Sequence, residues 1–334
     1  MRNNKKYYAI LLLLSMSLIV MSVASLFIGR YALSVNQVIN TLIYSHGGAS
    51  LNSAATVIFN LRLPRIVAVI LVGAGLSVAG ATYQAVLKNS LASPDVLGTS
   101  SASAFGAALG ILLGLPFHLA STSAFLFGIL SLFMVFALCY LKKNHEPITT
   151  ILAGIIVASL FVSFVSIIKY IADPQDTLPA IVFWLMGSFA SLVKTQIYGL
   201  IPLYLICYLI IYRMRWKMNV LSLGDDEARV QGINPWQLKM ILLIASSVLI
   251  SASVTIAGVV GWVGLVIPHL VRSLVGYNHG KLIPVAAVAG ALFLLIIDNL
   301  ARALTYAEIP IGILTALIGA PLFAILYIRG DRDD

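Results

Sequence analysis

Asp225, Asp226, Glu227 and Arg229 crowd into the run Leu221–Gly232, with long apolar stretches on both sides. Their types and spacing suit recognition of a polar surface. Gly224 can stop one short helix and Asp225 begin the next, because a carboxylate is favoured at the positive end of a helix. A solvated loop of charges is the plainer reading. A polytopic membrane protein that keeps a compact charged helix between spans, however, needs something to dock on it. The run therefore points to a translocator driven by a separate partner on one face of the membrane.

Other chemistry is thin. Gly276-Tyr-Asn-His-Gly280-Lys281-Leu282 comes nearest to a phosphate-binding loop, but it has one residue too few between the glycines and no Ser or Thr after the lysine. Energy must then come from a partner or an ion gradient. No HExxH, Gly-x-Ser-x-Gly or facing pair of intramembrane aspartates occurs, so no catalytic residue, metal ligand or cofactor is expected. His269 has no second histidine or carboxylate at ligand spacing and reads as structural. Cys139 and Cys207 fall in apolar stretches and read as small hydrophobes. Asp298 alone lies mid-membrane, where an uncompensated carboxylate costs roughly 2.5–3.5 kcal/mol. Arg302, one turn along the same helix face, can pair with it. A proton or sodium relay, the mark of a gradient-driven secondary carrier, is thereby disfavoured.

The elements that position these groups follow from composition. Hydrophobic residues are 60% of the 334, charged residues 10%, and the formal charge is +9; mean hydropathy is +1.00. A soluble domain is about a quarter charged, so lipid is the solvent of this chain. About ten windows are apolar and long enough to span: 8–28, 64–86, 95–113, 120–140, 148–170, 194–212, 236–257, 259–276, 282–304 and 310–328. The expected fold is an all-α polytopic membrane protein, one transmembrane domain over 1–334, with its charged segment at about 217–235. The apolar run after Met1-Arg-Asn-Asn-Lys-Lys6 is too long for a signal core and reads as a retained first span.

With the N-terminus cytoplasmic, only Arg30, Arg62, Arg65, Lys169, Lys194 and Arg302 fall outside. The inner side then holds more than twice as many basic residues, as the positive-inside rule expects. Both termini come to the inner face, and the positive charge reflects topology and anionic lipid, not nucleic acid. Gly106, Gly110 and Gly114 repeat every four residues and Gly258, Gly261 and Gly264 every three; both sets read as helix-packing devices. Pro268 should kink or interrupt its helix.

Two long segments and one short one carry a resemblance. The first is Arg62-Leu-Pro-Arg65 continuing through Gly80, Gln84, Asn89 and Pro94 to Gly98. The second runs from Gly261 through Pro268-His269 and Arg272, then Asp298-Asn-Leu-Ala-Arg302, to Glu308-Ile-Pro-Ile-Gly312, Gly319 and Pro321. Both resemble the FecCD-type permease subunits of ferric-siderophore, haem and vitamin B12 ABC importers. The run Leu221–Gly232 looks like that family's cytoplasmic coupling segment, and the likeness covers essentially the whole chain in order.

The resemblance implies a ten-span type II importer permease fold in a bacterial cytoplasmic membrane. It implies two permease subunits (a homodimer or a paralogous pair), two cytoplasmic ABC ATPases that hydrolyse the ATP, and an extracytoplasmic binding protein. The cargo it implies first is a ferric siderophore, with haem and cobalamin as alternatives. By motif, Arg62, Arg65 and Arg302 face outward and meet glutamates of the binding protein; interfacial snorkelling is the plain alternative. By motif also, Gly224, Asp225, Asp226, Glu227, Ala228, Arg229 and Gly232 couple to the ATPase. Glu146, Pro147, Thr149 and Thr150 are an inner-gate expectation by position only. Departures from the family pattern fall at Asn89-Ser90-Leu91-Ala92, Ser100–Ser103, Asn278-His279-Gly280 and Tyr306-Ala307. None of them touches the three arginines.

Overall fold

The computed structural model describes residues 2–29, 31, 33–44, 53–143, 146–192, 194–305 and 307–330; Arg30 and Tyr306 lie outside these. Among the described residues every regular element is helical. Seven helices are long and apolar enough to cross a membrane, and three shorter apolar helices stand at 99–112, 263–275 and 311–326. Together they fall where the ten apolar windows predict.

The chain opens with α1 (Arg2–Ser25) and a short α2 (Val35–Tyr44). Next, α3 (Ser53–Thr56) and a π-helical turn (Val57–Arg62) run without a break into α4 (Leu63–Val86). The second span thus starts well before its predicted edge at 64. The wide π turn lies just ahead of Pro64, where a proline ring would otherwise collide with the preceding turn. A 3-10 turn (Pro94–Leu97) leads into α5 (Thr99–Leu112), followed by α6 (Phe117–Leu141), α7 (Pro147–Ile171) and the short α8 (Thr177–Leu185).

Further along, α9 (Lys194–Leu223) has 30 residues, or about 45 Å of helix. That exceeds the roughly 30 Å hydrocarbon core, so its last turns carry Arg213, Arg215 and Lys217 beyond the predicted end of the window at 212. After α10 (Asp225–Val230) come α11 (Pro235–Ala257), α12 (Val263–Val275), α13 (His279–Ala303) and α14 (Ile311–Gly330).

The centre of the bundle is α4, which packs on α9, α11, α12 and α13. Its glycines make this possible. A side chain at Gly73 would strike the backbone of Gly290, and one at Gly80 the backbone of Gly264. On the other flank Gly106 and Gly110 of α5 lie against the α6 backbone at Ser123, Ala124 and Ala120. The predicted stripes are otherwise corrected in part. Gly114 has φ +67° and nothing near it, because it turns the chain after α5 ends. Gly258 caps α11 at φ +67° and also packs tightly on the backbone of Trp184 and Gly187, Gly261 lies in the link with nothing near it, and Gly264 packs at the start of α12. Pro268 does not interrupt its helix, since α12 is continuous around it.

Charges separate to the two ends of the bundle. Lys88 and Lys239 meet at Asp225, whereas Arg65 and Arg302 meet at Asp298. The two groups of basic residues assigned by sequence to opposite faces are therefore not mixed in these contacts.

Candidate functional site

At one end, the π turn and the first turn of α4 present Arg62 and Arg65, one helical turn apart. Asp298 and Arg302 lie one turn apart on α13, and Glu308 in the link to α14. Arg65 forks between two carboxylates: Nη2 is 2.8 Å from Asp298 Oδ1, and Nη1 and Nη2 lie 3.0 and 2.9 Å from Glu308. Arg302 Nε stands 3.1 Å from Asp298 Oδ2. Its Nη1 donates to Ile28 O at 3.0 Å, and its Nη2 to Asn299 Oδ1. Arg62 donates to the carbonyls of Leu26 and Tyr31, which ties the segment after α1 to α4.

All three arginine side chains are largely buried. Arg62 is 4% exposed and Arg302 7%, and the Arg65 side chain is 11% exposed. For Arg65 and Arg302 the cause is electrostatic: a fully buried Asp298 needs cations around it, and these two supply them, whereas Arg62 is held by the Leu26 and Tyr31 carbonyls. The pairing of Asp298 with Arg302 was legible at i,i+4. Its pairing with Arg65, 233 residues away, was not. The three arginines and Glu308 nevertheless wall one side of a cleft of about 270 Å³, which Tyr31 and Asn60 also line. The cluster carries three cations against two carboxylates.

At the other end, Gly224 separates α9 from α10 as the sequence predicts. α10 has two faces. Ala228 is fully buried, and Asp225 is pinned by Lys239 at 2.6 Å and Lys88 at 3.3 Å. Burial alone would raise the Asp225 pKa, but the hydrogen bonds and charges of Lys239 and then Lys88 outweigh it, and the carboxyl is held below its ordinary value. The anchoring charge therefore persists through neutral and mildly acid pH and is lost only as pH falls through that lowered value.

The outer face of α10 shows Asp226, Glu227, Arg229 and Val230 to solvent, with an Asp226–Arg229 pair at 2.8 Å. Gly232, at φ +73°, ends the unit in a left-handed turn whose amide donates to Arg229 O at 2.9 Å. Of the seven predicted coupling residues, then, Asp225 and Ala228 hold the helix, Gly224 and Gly232 bound it, and the other three are presented.

Glu146 precedes α7 and Pro147 is its first residue. Thr149 and Thr150 are buried, with Thr150 Oγ1 3.4 Å from Glu146 O and 3.9 Å from Cys139 Sγ of α6. Phe136 of α6 meets Trp236 of α11 with ring centroids 6.2 Å apart, which puts this turn at the same end as α10.

The sequence pattern of the FecCD transport family matches residues 17–329. The chain is 42% identical over 327 residues to the molybdate import system permease protein MolB of Haemophilus influenzae, covering 98% of this chain and 97% of that one. It is 36% identical over 324 residues to the hemin transport system permease protein HmuU of Yersinia pestis, covering 93% of each. A solved ABC transporter described as of metal-chelate type, in an inward-facing conformation, superposes with a TM-score of 0.85 at 41% identity, over 96% of this chain and 99% of that one.

Proposed function

Since this chain belongs to the FecCD transport family and is an ABC importer permease, we propose that its cargo is a metal complex, with an iron chelate of the siderophore class first. The observation that carries the transport reading is the fold match along nearly the whole chain, with a charged helix presented between two spans. The hemin relative and the transporter of metal-chelate type support a chelated metal. Molybdate is the second reading, favoured by the 42% identity to a permease named for it. Haem and cobalamin remain within the same machine.

In this reading the α10 end is cytoplasmic, with both termini, and the arginine end faces the binding protein. Two ATPase subunits dock on the α10 faces of a permease pair and hydrolyse the ATP. The turn at Glu146–Thr150, on that same side, forms the inner gate. Large cargo passes between the two permeases, and the binding protein sets most of the specificity.

Uptake by cells lacking the gene tests the cargo. Radio-iron offered as hydroxamate, catecholate and haem complexes, with labelled cobalamin and radio-molybdate alongside, should show loss of one iron chelate, restored by the wild-type gene. Loss of molybdate alone would replace the cargo and keep the machine.

Two variants test the contacts. Glu227→Arg reverses an exposed charge of α10 and should strip the ATPase from the purified complex; retention at full stoichiometry would sink the coupling role. For docking, Arg62 is the informative position. Reversing Arg65 would set a third carboxylate against Asp298 and Glu308, and the loss would report the fold instead. Arg62 has no carboxylate partner among the described residues. Arg62→Gln should reduce ATP hydrolysis stimulated by the binding protein and leave basal hydrolysis intact. Unchanged stimulation would remove Arg62 from the docking surface.

A further inference from the structure

Most buried or half-buried cations in the two end clusters have a carboxylate. Lys88 and Lys239 share Asp225, and Arg65 and Arg302 share Asp298. Arg272, one turn before the end of α12, does not. Its Nη2 donates to the amide oxygen of Gln84 on α4. Its Nη1 is buried with no hydrogen-bond partner, and no carboxylate lies within ion-pair distance among the described residues. A half-buried guanidinium answered only by a neutral amide is costly, and a neighbouring anion removes that cost.

The space beside it is built for one. A cleft of about 470 Å³ is lined by Arg272, Lys88, Gln84, Asn89, Asn219 and His279 among others, with no Asp or Glu in its wall. The wall is held in place: Asn219 Oδ1 lies 2.8 Å from His279 Nδ1, and Asn219 Nδ2 donates to Asn278 Oδ1 at 3.2 Å. The 25-residue α13 begins here, and the positive end of its dipole adds to the field. Apolar surface sits at the rim. Tyr277 is 80% exposed and Leu223 71%, and both line the same cleft. A tyrosine at the end of a span is typical of the membrane–water boundary.

We propose that this cleft holds the phosphate headgroup of an anionic membrane lipid, with Arg272 and Lys88 facing the phosphate and Leu223 and Tyr277 against the lipid's apolar part. Free inorganic phosphate offers the same anionic oxygens, but it would leave that apolar rim bare. A basic cleft between spans at the membrane surface is a general way to bind such headgroups. The proposal rests neither on the cargo nor on which leaflet this end faces.

The test is native mass spectrometry of the purified permease–ATPase complex, exchanged into nanodiscs of phosphatidylglycerol or of phosphatidylcholine and then released. The wild-type complex should retain phosphatidylglycerol preferentially. Arg272→Gln should weaken that retention about fivefold, the effect of roughly one basic contact at a membrane surface. Lys142→Gln, at an exposed lysine outside the cleft, should leave it unchanged. Equal retention of the two lipids by the wild type, or equal phosphatidylglycerol retention by wild type and Arg272→Gln, would overturn the proposal. Millimolar phosphate appearing as a bound adduct with no lipid retained would assign the cleft to a free anion and overturn it too. Should Arg272→Gln fail to fold, the two-lipid comparison on the wild type still decides.

Discussion

Replacing Asp298 by alanine is expected to lower the stability of the folded permease by about 3–5 kcal/mol, the range for breaking a buried ion pair from one side. Asp298 is fully buried and stands between Arg65 at 2.8 Å and Arg302 at 3.1 Å. Without it Arg65 keeps Glu308, but Arg302 retains only the Ile28 carbonyl and the Asn299 amide oxygen. Two cations would then press on one another in a largely buried site. Glu308→Ala is the comparison. Its side chain is 19% exposed and it answers Arg65 alone, so the loss should be clearly smaller. Equilibrium unfolding of the purified protein in detergent measures both. If Asp298→Ala costs no more than Glu308→Ala, the arginine cluster is not held by its buried carboxylate, and the burial of Arg65 and Arg302 needs another cause.

Gly80→Ala should cost more than the roughly 1–3 kcal/mol typical of overpacking, and little folded protein should reach the membrane. The methyl would meet the Gly264 carbonyl, with Gly264 Cα only 2.7 Å away. Both partners are helix backbone, so no flexible side chain can yield. Gly199, in α9, has nothing within 4 Å of an added methyl, and Gly199→Ala should be silent or slightly stabilising through better helix propensity. Folded yield by fluorescence-detected size exclusion separates the two. Equal yields would mean that α4 and α12 can move apart, contrary to the central position of α4.

Spans were legible because lipid imposes a rule that acts along the chain: a run of about 20 apolar residues must be helical to satisfy its own backbone. Their ends were less legible. Arg213 to Lys217 closed the apolar window, yet α9 runs on to Leu223, because backbone hydrogen bonding continues a helix past its last apolar residues whatever side chains follow. Short elements such as α8 fell below any span-length window. Glycine stripes were only partly legible from spacing: Gly258, Gly261 and Gly264 fall across a helix end, a link and a helix start, and of them Gly258 and Gly264 pack closely while Gly261 does not. Only a three-dimensional partner distinguishes a packing glycine from a turning one.

The sequence by itself determined that this is a ten-window helical membrane protein of the FecCD type, with charges divided between two ends and a short charged helix bounded by Gly224 and Gly232. Those features rest on composition, local periodicity and near-neighbour chemistry. Tertiary structure alone decided what the charges do. It brought Arg65 to the Asp298 that Arg302 already answers one turn away, anchored α10 through Lys239 and Lys88, and left Arg272 without an anion. Such pairings join residues up to 243 positions apart, and a charge's partner is set by which helices pack together, a choice that no local pattern records.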